Sequence, residues 1–294
     1  MVEQIDRDRY DPISVIIEPD GGWSINEADP LDPAHAVIAL RERGIDTCFL
    51  ALHGPYGEDG RVQAFLETCG LRFTGSGPRA TAIAGDKITA KRVATGLGVR
   101  CADDLLVPPA TAEEIEATLG FPAIVKDPHQ GSTLGMAIAR DRLELDTTLR
   151  HLGSECNRLL VEECVRGREF TVSVLDLPGE EAYTLPLTEI EVPGGYFDFK
   201  AKYSGKTVET CPADLDGPDA DRMREWSLAV HRVFGLRDFS RTDFILPEQG
   251  GPVYLETNTI PGMTAQSLFP QASREGGIPF KDLLTRLIEA ARSR

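Results

Sequence analysis

Arg241, Asp243, Glu256 and Asn258 are the residues of this chain best suited to chemistry. They stand on two apolar, β-prone runs, one from Arg241 to Leu246 and one from Val253 onward, separated by the turn formers Pro247-Glu248-Gln249-Gly250-Gly251-Pro252. Two antiparallel strands are the economical assignment. Side chains alternate along a strand, so Glu256 and Asn258 leave one face and Asp243 on the partner arm can face them. Two carboxylates and an amide suit a hard cation, Mg²⁺ first and Mn²⁺ as its alternative, which keeps several waters and takes its remaining ligands from phosphates. Residues of this kind also decorate solvated hairpins, and spacing alone does not separate the two readings.

The elements that must carry this hairpin are legible along the chain. Ile13 to Ile17 reads as a short strand followed by the turn Glu18-Pro19-Asp20-Gly21-Gly22, and Asp32-Pro33 opens a helix that Gly44 closes. Thr47 to Leu52 reads as one continuous apolar strand, and Val62, Phe65, Leu66 and Cys69 recur at helical spacing up to Gly70. This alternation predicts a small parallel α/β lobe over residues 1–79. A helix from Asp86 carries Lys87 and Lys91, and Thr111-Ala112-Glu113-Glu114 is a capping box for the next. Strands Ala123 to Lys126 and Met136 to Ala139 flank a glycine-containing loop in a central lobe, 80–160. Leu159 to Glu163 and Phe170 to Leu175 begin a strand-rich lobe, 161–294, that ends in the hairpin and a helix from about Pro279.

A chain of 294 residues with 41% hydrophobic and 27% charged side chains suits two or three compact lobes of a soluble protein. No apolar run is long enough to span a bilayer, and Met1 to Asp6 lacks the features of a signal peptide, so a cytoplasmic location is expected. A net charge of -16 argues against nucleic acid or an anionic membrane as main partner. Small molecules are the expected partners, and an anionic one needs a local basic site and a metal. The six cysteines have no paired metal-type spacing and read as buried, reduced thiols.

Eight segments occur in a telling order: Leu52-His53-Gly54-Pro55-Tyr56-Gly57-Glu58-Asp59-Gly60, Thr74-Gly75-Ser76-Gly77, Asp86-Lys87 with Lys91, Val125-Lys126, Gly131-Ser132-Thr133-Leu134-Gly135-Met136, Val161-Glu162-Glu163 with Gly167 to Val172, Phe199-Lys200-Ala201-Lys202-Tyr203, and the hairpin through Thr264. Together they resemble the ATP-grasp superfamily and, within it, the D-alanine–D-alanine ligases. The resemblance implies an α/β (α+β) ATP-grasp fold of three lobes with the nucleotide held between two antiparallel-sheet lobes. It also implies ATP-driven phosphorylation of the carboxylate of a first D-alanine and attack by the amine of a second, in the supply of cell-wall precursors.

The resemblance distributes roles along the chain. Mg²⁺ falls to Asp243, Glu256 and Asn258, ATP phosphates to Lys91 and Lys126, and the transferring phosphoryl group to Arg241. Glu162 belongs beside the adenine, the backbone of Glu163 and Val165 reads the base edge, and Glu169 receives ribose hydroxyls. Ser132, Lys202 and Tyr203 resemble residues that close a loop over the substrates, with Ser132 and Lys202 also within reach of ATP. Excluding water matters, since an acylphosphate hydrolyses in an open site. Gly262, Ser267 and Leu268 match the holder of the acceptor carboxylate, and His53 resembles a histidine near the substrates. A homodimer is an expectation from the family alone.

The chain also departs from the family pattern. The family opens with a strand, a glycine turn and a Ser-x-Glu-x-Glu-Val-Ser segment whose glutamate pairs with the donor ammonium, whereas Tyr10 to Ile17 here looks like the family's second strand. Glu18, Glu27 and Glu58 are the replacements considered, and the sequence selects none of them. A ligase with a different donor acid and a non-catalytic nucleotide-binding relative are the two alternative readings.

Overall fold

The computed structural model describes residues 1–130, 135–191 and 207–294. After a short 3-10 helix, Val2–Gln4, strands β1 (Val15–Ile17) and β2 (Trp23–Ile25) form an antiparallel hairpin. Helix α1 (Pro33–Glu42) follows, its first turn held by the Asp32 carboxylate, which accepts from the backbone N–H groups of Ala34 and His35. Strand β3 (Thr47–Cys48) pairs in parallel with β4 (Arg72–Phe73), and α2 (Arg61–Thr68) connects them. Trp23 meets Phe65 edge to face at 5.7 Å and shares a core with Val37, Leu40, Leu66 and Phe73.

This lobe is less of a parallel sheet than its sequence suggests. The turn Glu18 to Gly22 forms as expected but leads into β2, a strand the sequence reading leaves unassigned, and the apolar run Thr47 to Leu52 is laddered at Thr47 and Cys48 alone. Its neighbour β4 gives way to the turn at Gly75 (φ +85°), so the Leu50 N–H donates to the Thr74 side-chain oxygen instead of to a strand. A cavity of about 460 Å³ is lined by Ile13 and Val15 on one side and by Phe49 and Leu50 of the Thr47 to Leu52 run on the other.

Helices α3 (Pro78–Gly85) and α4 (Lys87–Gly96) come next, with Asp86 capping α4 through its carboxylate. The central sheet runs β5-β8-β6-β7, from strands Asp104–Val107, Leu159–Glu163, Ala123–Lys126 and Met136–Ala139, all antiparallel neighbours. Helix α5 (Ala112–Leu119) starts on the expected capping box between Thr111 and Glu114. With α6 (Arg142–Gly153) it buries Ile115, Leu145, Val125, Leu159 and Val161.

The C-terminal sheet is ordered β12-β11-β9-β13-β14, with β10 on β9. Its strands are β9 (Arg168–Asp176), β10 (Tyr183–Thr184), β11 (Thr188–Glu191), β12 (Val208–Thr210), β13 (Asp238–Leu246) and β14 (Val253–Asn258). Helix α7 (Pro218–Phe234) backs the sheet through Met223, Val230 and Phe234 against Phe170, Val172 and Phe244. Helices α8 (Leu268–Glu275) and α9 (Phe280–Arg292) close the chain.

Two assignments shift. The sequence reading gives Leu159 to Glu163 to the C-terminal lobe, but β8 pairs with β5 and β6 in the central sheet, because Leu159 and Val161, alternate residues on one face of the strand, complete that core. Residues 80–96 read as central, yet Ala80, Ala84, Ala90 and Ala94 pack into the core of the C-terminal sheet with Phe170 and Tyr254. Their small side chains let α3 and α4 lie close against β14, and this carries Lys87 and Lys91 to the cleft.

Candidate active site

The hairpin forms as expected. β13 and β14 pair antiparallel, with Asp243 opposite Glu256 and Arg241 opposite Asn258, so all four side chains leave one face. The register slips between Asp243 and Phe244: Phe244 lies opposite Tyr254, leaving Leu255 as the extra residue of a β-bulge. In a regular strand Tyr254 and Glu256 would share a face. The bulge separates them, burying Tyr254 against Phe244 while Glu256 stays on the half-buried side with Asp243 and Asn258.

Each of these groups has a protein partner. Asp243 accepts two bonds from Arg241, at 2.8 Å each, and one from the Thr171 hydroxyl at 2.7 Å. Glu256 pairs with Lys87 at 2.8 Å. The Asn258 side-chain oxygen accepts from the Ile260 N–H at 2.8 Å. Lys87, reinforced by burial-opposing help from Lys126 and Arg241, holds the Glu256 carboxyl down to about 2, so it is ionised at neutral pH. Burial works against the Arg241 charge, but Asp243 outweighs it and the guanidinium is held more firmly protonated than usual. Two carboxylates with an amide oxygen on one rigid face are a donor set that fits Mg²⁺.

Across the cleft a second cluster centres on Glu162. Its carboxylate receives Lys91 at 2.5 Å on one oxygen and Lys126 on the other, and Lys91 also meets Asp104 at 3.0 Å. Lys91 is only 4% exposed, which excludes the reading of it as a surface lysine. Burial pushes the Glu162 carboxyl up, but Lys126 and Lys91 overcome it and leave it lowered. The three residues expected around adenine and phosphates are thus adjacent, bonded to one another. Glu163 and Val165 are engaged by the chain itself: the Glu163 N–H donates to the Asp103 carbonyl, and the Val165 N–H to the Glu163 carbonyl. Glu169 lies in β9 opposite Ile245 and Ile190.

At the third corner, Ser267 caps α8 without bonding its own helix, because its hydroxyl is taken by the Thr264 N–H at 3.1 Å and the Thr264 hydroxyl at 2.9 Å. The first N–H groups of α8, beginning at Leu268, therefore remain available to an anion. Gly262 is required here, since a Cβ would come within 2.7 Å of the Ser267 hydroxyl. His53 is exposed on the loop before α2. In that loop Glu58 accepts from the Gly54 N–H at 2.6 Å and lies within the fields of Arg241 and Glu256, and burial raises its carboxyl. Glu18 is instead bonded by the Ser24 hydroxyl, and Glu27 is exposed. Ser132, Lys202 and Tyr203 lie outside the described residues.

Sequence reasoning gave no role to Lys87, Asp104 or Thr171. The Asp86-Lys87 pair was a visible signal for the first. Asp104 and Thr171 carried none, since they matter through their neighbours. The cysteines are all free, and all are half-buried where buried thiols are expected.

Residues 96–289 match the family model for the D-ala D-ala ligase C-terminus, and residues 36–76 the model for its N-terminus. The D-alanine–D-alanine ligase of Pelotomaculum thermopropionicum is 38% identical over 87% of this chain and 83% of its own length. That of Alcanivorax borkumensis is 41% identical over 89% and 82%. Among solved structures, the Bacillus anthracis D-alanine–D-alanine ligase complexed with ATP superposes with a TM-score of 0.74 at 31% identity, covering 87% of this chain and 83% of that one. The VanG D-Ala:D-Ser ligase of Enterococcus faecalis superposes at 0.82 and 26% identity, covering 99% and 92%. With its sheets, its cleft and its sequence in agreement, the chain belongs to the D-alanine–D-alanine ligase family.

Proposed function

We propose that this protein is an ATP- and Mg²⁺-dependent ligase that joins two D-alanines through an acylphosphate and releases ADP and phosphate. The reading rests above all on Arg241, Asp243, Glu256 and Asn258 sharing one face of β13 and β14. Mg²⁺ held by Asp243, Glu256 and Asn258 would supply charge neutralisation between the triphosphate and the donor carboxylate. Arg241 is fixed by its fork on Asp243 and presents a permanent positive charge to the phosphoryl group in transfer. Lys126 and Lys91 trade Glu162 for phosphate oxygens, their flexible stems permitting the move. Ser267 and the start of α8 orient the acceptor by its carboxylate, which aims its amine at the acyl carbon.

The described residues favour Glu58 as the anion for the donor ammonium, since its carboxyl lies in the fields of Arg241 and Glu256, whereas Glu18 is bonded by the Ser24 hydroxyl. Ser132, Lys202 and Tyr203 are proposed to close the loop, on sequence resemblance. Likeness to the family supports reading the protein as a cytoplasmic homodimer in the supply of cell-wall precursors; no described helix is long and apolar enough to cross a membrane. ADP release with Mg²⁺ and D-alanine as the sole amino acid, with mass analysis of the product, tests the proposal. Dialanine formed in step with ADP supports it; ADP release that D-alanine fails to stimulate overturns it.

A further inference from the structure

We propose that Asp127, His129 and Cys156 form a binding site for a borderline-soft divalent cation of the zinc class, between the turn after β6 and the end of α6. Asp127 and His129 lie on the turn that leaves β6, and Cys156 lies just beyond the C-terminus of α6. One ligand atom from each falls within 4.8 Å of the others. The pieces are held in place: the His129 N–H donates to Asp127 at 2.9 Å, the Asp127 N–H donates to the Gly135 carbonyl at 2.8 Å, and the Cys156 N–H donates to the Leu152 carbonyl at 2.9 Å.

The donor chemistry selects the ion. Thiolate, imidazole and carboxylate are the ligands zinc takes, and a set of three leaves a fourth position for water. Mg²⁺ prefers oxygen alone, so this site and the hairpin discriminate between the two metals. Metal–ligand bonds of about 2.0–2.3 Å bring tetrahedral ligands to roughly 3.3–3.7 Å from one another, so the cluster must close by about 1 Å. The imidazole can supply that movement, being 66% exposed and already 3.6 Å from Asp127. On binding, the Cys156 thiol gives its proton to solvent and its bond to the Arg158 carbonyl, 2.9 Å away, is replaced by the metal–sulfur bond.

The location gives the site a consequence. The turn is tied to α4 by Lys87, whose N–H donates to the Pro128 carbonyl and whose ammonium donates to the Gln130 carbonyl at 3.0 Å. The same ammonium pairs with Glu256. A cation that joins this turn to the end of α6 fixes the turn on which Lys87 rests, and with it the Lys87–Glu256 pair, and turnover falls. Binding stands independently of the ligase reading; the effect on turnover rests on it.

Co²⁺ titrated into the full-length protein at saturating Mg²⁺ provides the test. The expected result is a thiolate-to-cobalt charge-transfer band that disappears in C156S, with Co²⁺ affinity at least about tenfold weaker in H129N. Absence of that band in the wild type, or its survival in C156S, overturns the site. Zn²⁺ is expected to lower ADP release severalfold in the wild type and much less in either variant. Equal inhibition of all three proteins would place the effect at the hairpin and overturn the regulatory consequence.

Discussion

On the central sheet one carboxylate, Glu162, holds two lysines, whereas on the C-terminal hairpin Asp243 and Glu256 each hold a cation of their own. The hairpin groups leave adjacent positions of two paired strands, and Arg241 grips Asp243 with a planar fork, so this side is preorganised. The central cluster is joined by long flexible stems whose ammonium groups can turn from Glu162 to phosphate. The difference suggests a division of labour. On the proposed function, the rigid strands would set the metal and phosphoryl positions, and the two lysines would exchange Glu162 for the nucleotide.

The largest expected effect comes from breaking the rigid side. E256Q removes a metal ligand and should lower kcat by about 10²–10³-fold, the scale of losing one preorganised electrostatic contact; steady-state ADP release at saturating ATP measures it, and activity within a few-fold of wild type would remove Glu256 from the metal set. Next is E162Q. Because Glu162 is nearly buried with two lysines, its loss should cost about 3–5 kcal/mol in urea unfolding and should raise the KM for ATP more than it lowers kcat. A kcat loss as large as that of E256Q would contradict the division of labour.

A smaller effect is expected from T171V, which takes one hydrogen bond from Asp243 and leaves Arg241 in place. Loss of a bond to a charged group predicts about 1.5–3 kcal/mol of destabilisation, with Mg²⁺ affinity reduced by about tenfold. Unchanged Mg²⁺ dependence would mean that Arg241 alone positions Asp243. The smallest effect is a pH dependence. Glu256 is held at about 2 against an ordinary 4.5, so its contribution to stability is complete above pH 4.5 and is lost as pH falls toward 2. The difference in melting temperature between wild type and E256Q should therefore shrink across that window, and a constant difference would show that the Lys87 pair is not its source.

Much of this protein is written in local pattern. The capping box at Thr111, the Asp32-Pro33 helix start and the strands around the hairpin turn follow from short-range hydrogen bonding and backbone preference, and they stand where the sequence puts them. The shared face of Arg241, Asp243, Glu256 and Asn258 is likewise legible, because alternation along two paired strands places them together. Long-range packing decided the rest. Only the core contacts show that β8 completes the central sheet and that α3 and α4 lean on the C-terminal one, and only that leaning delivers Lys87 to Glu256. The bulge at Leu255, which turns Glu256 to the cleft while Tyr254 stays buried, depends on register across two strands. The meeting of Asp127 with Cys156 depends on how α6 returns to the sheet, which no spacing along the chain records.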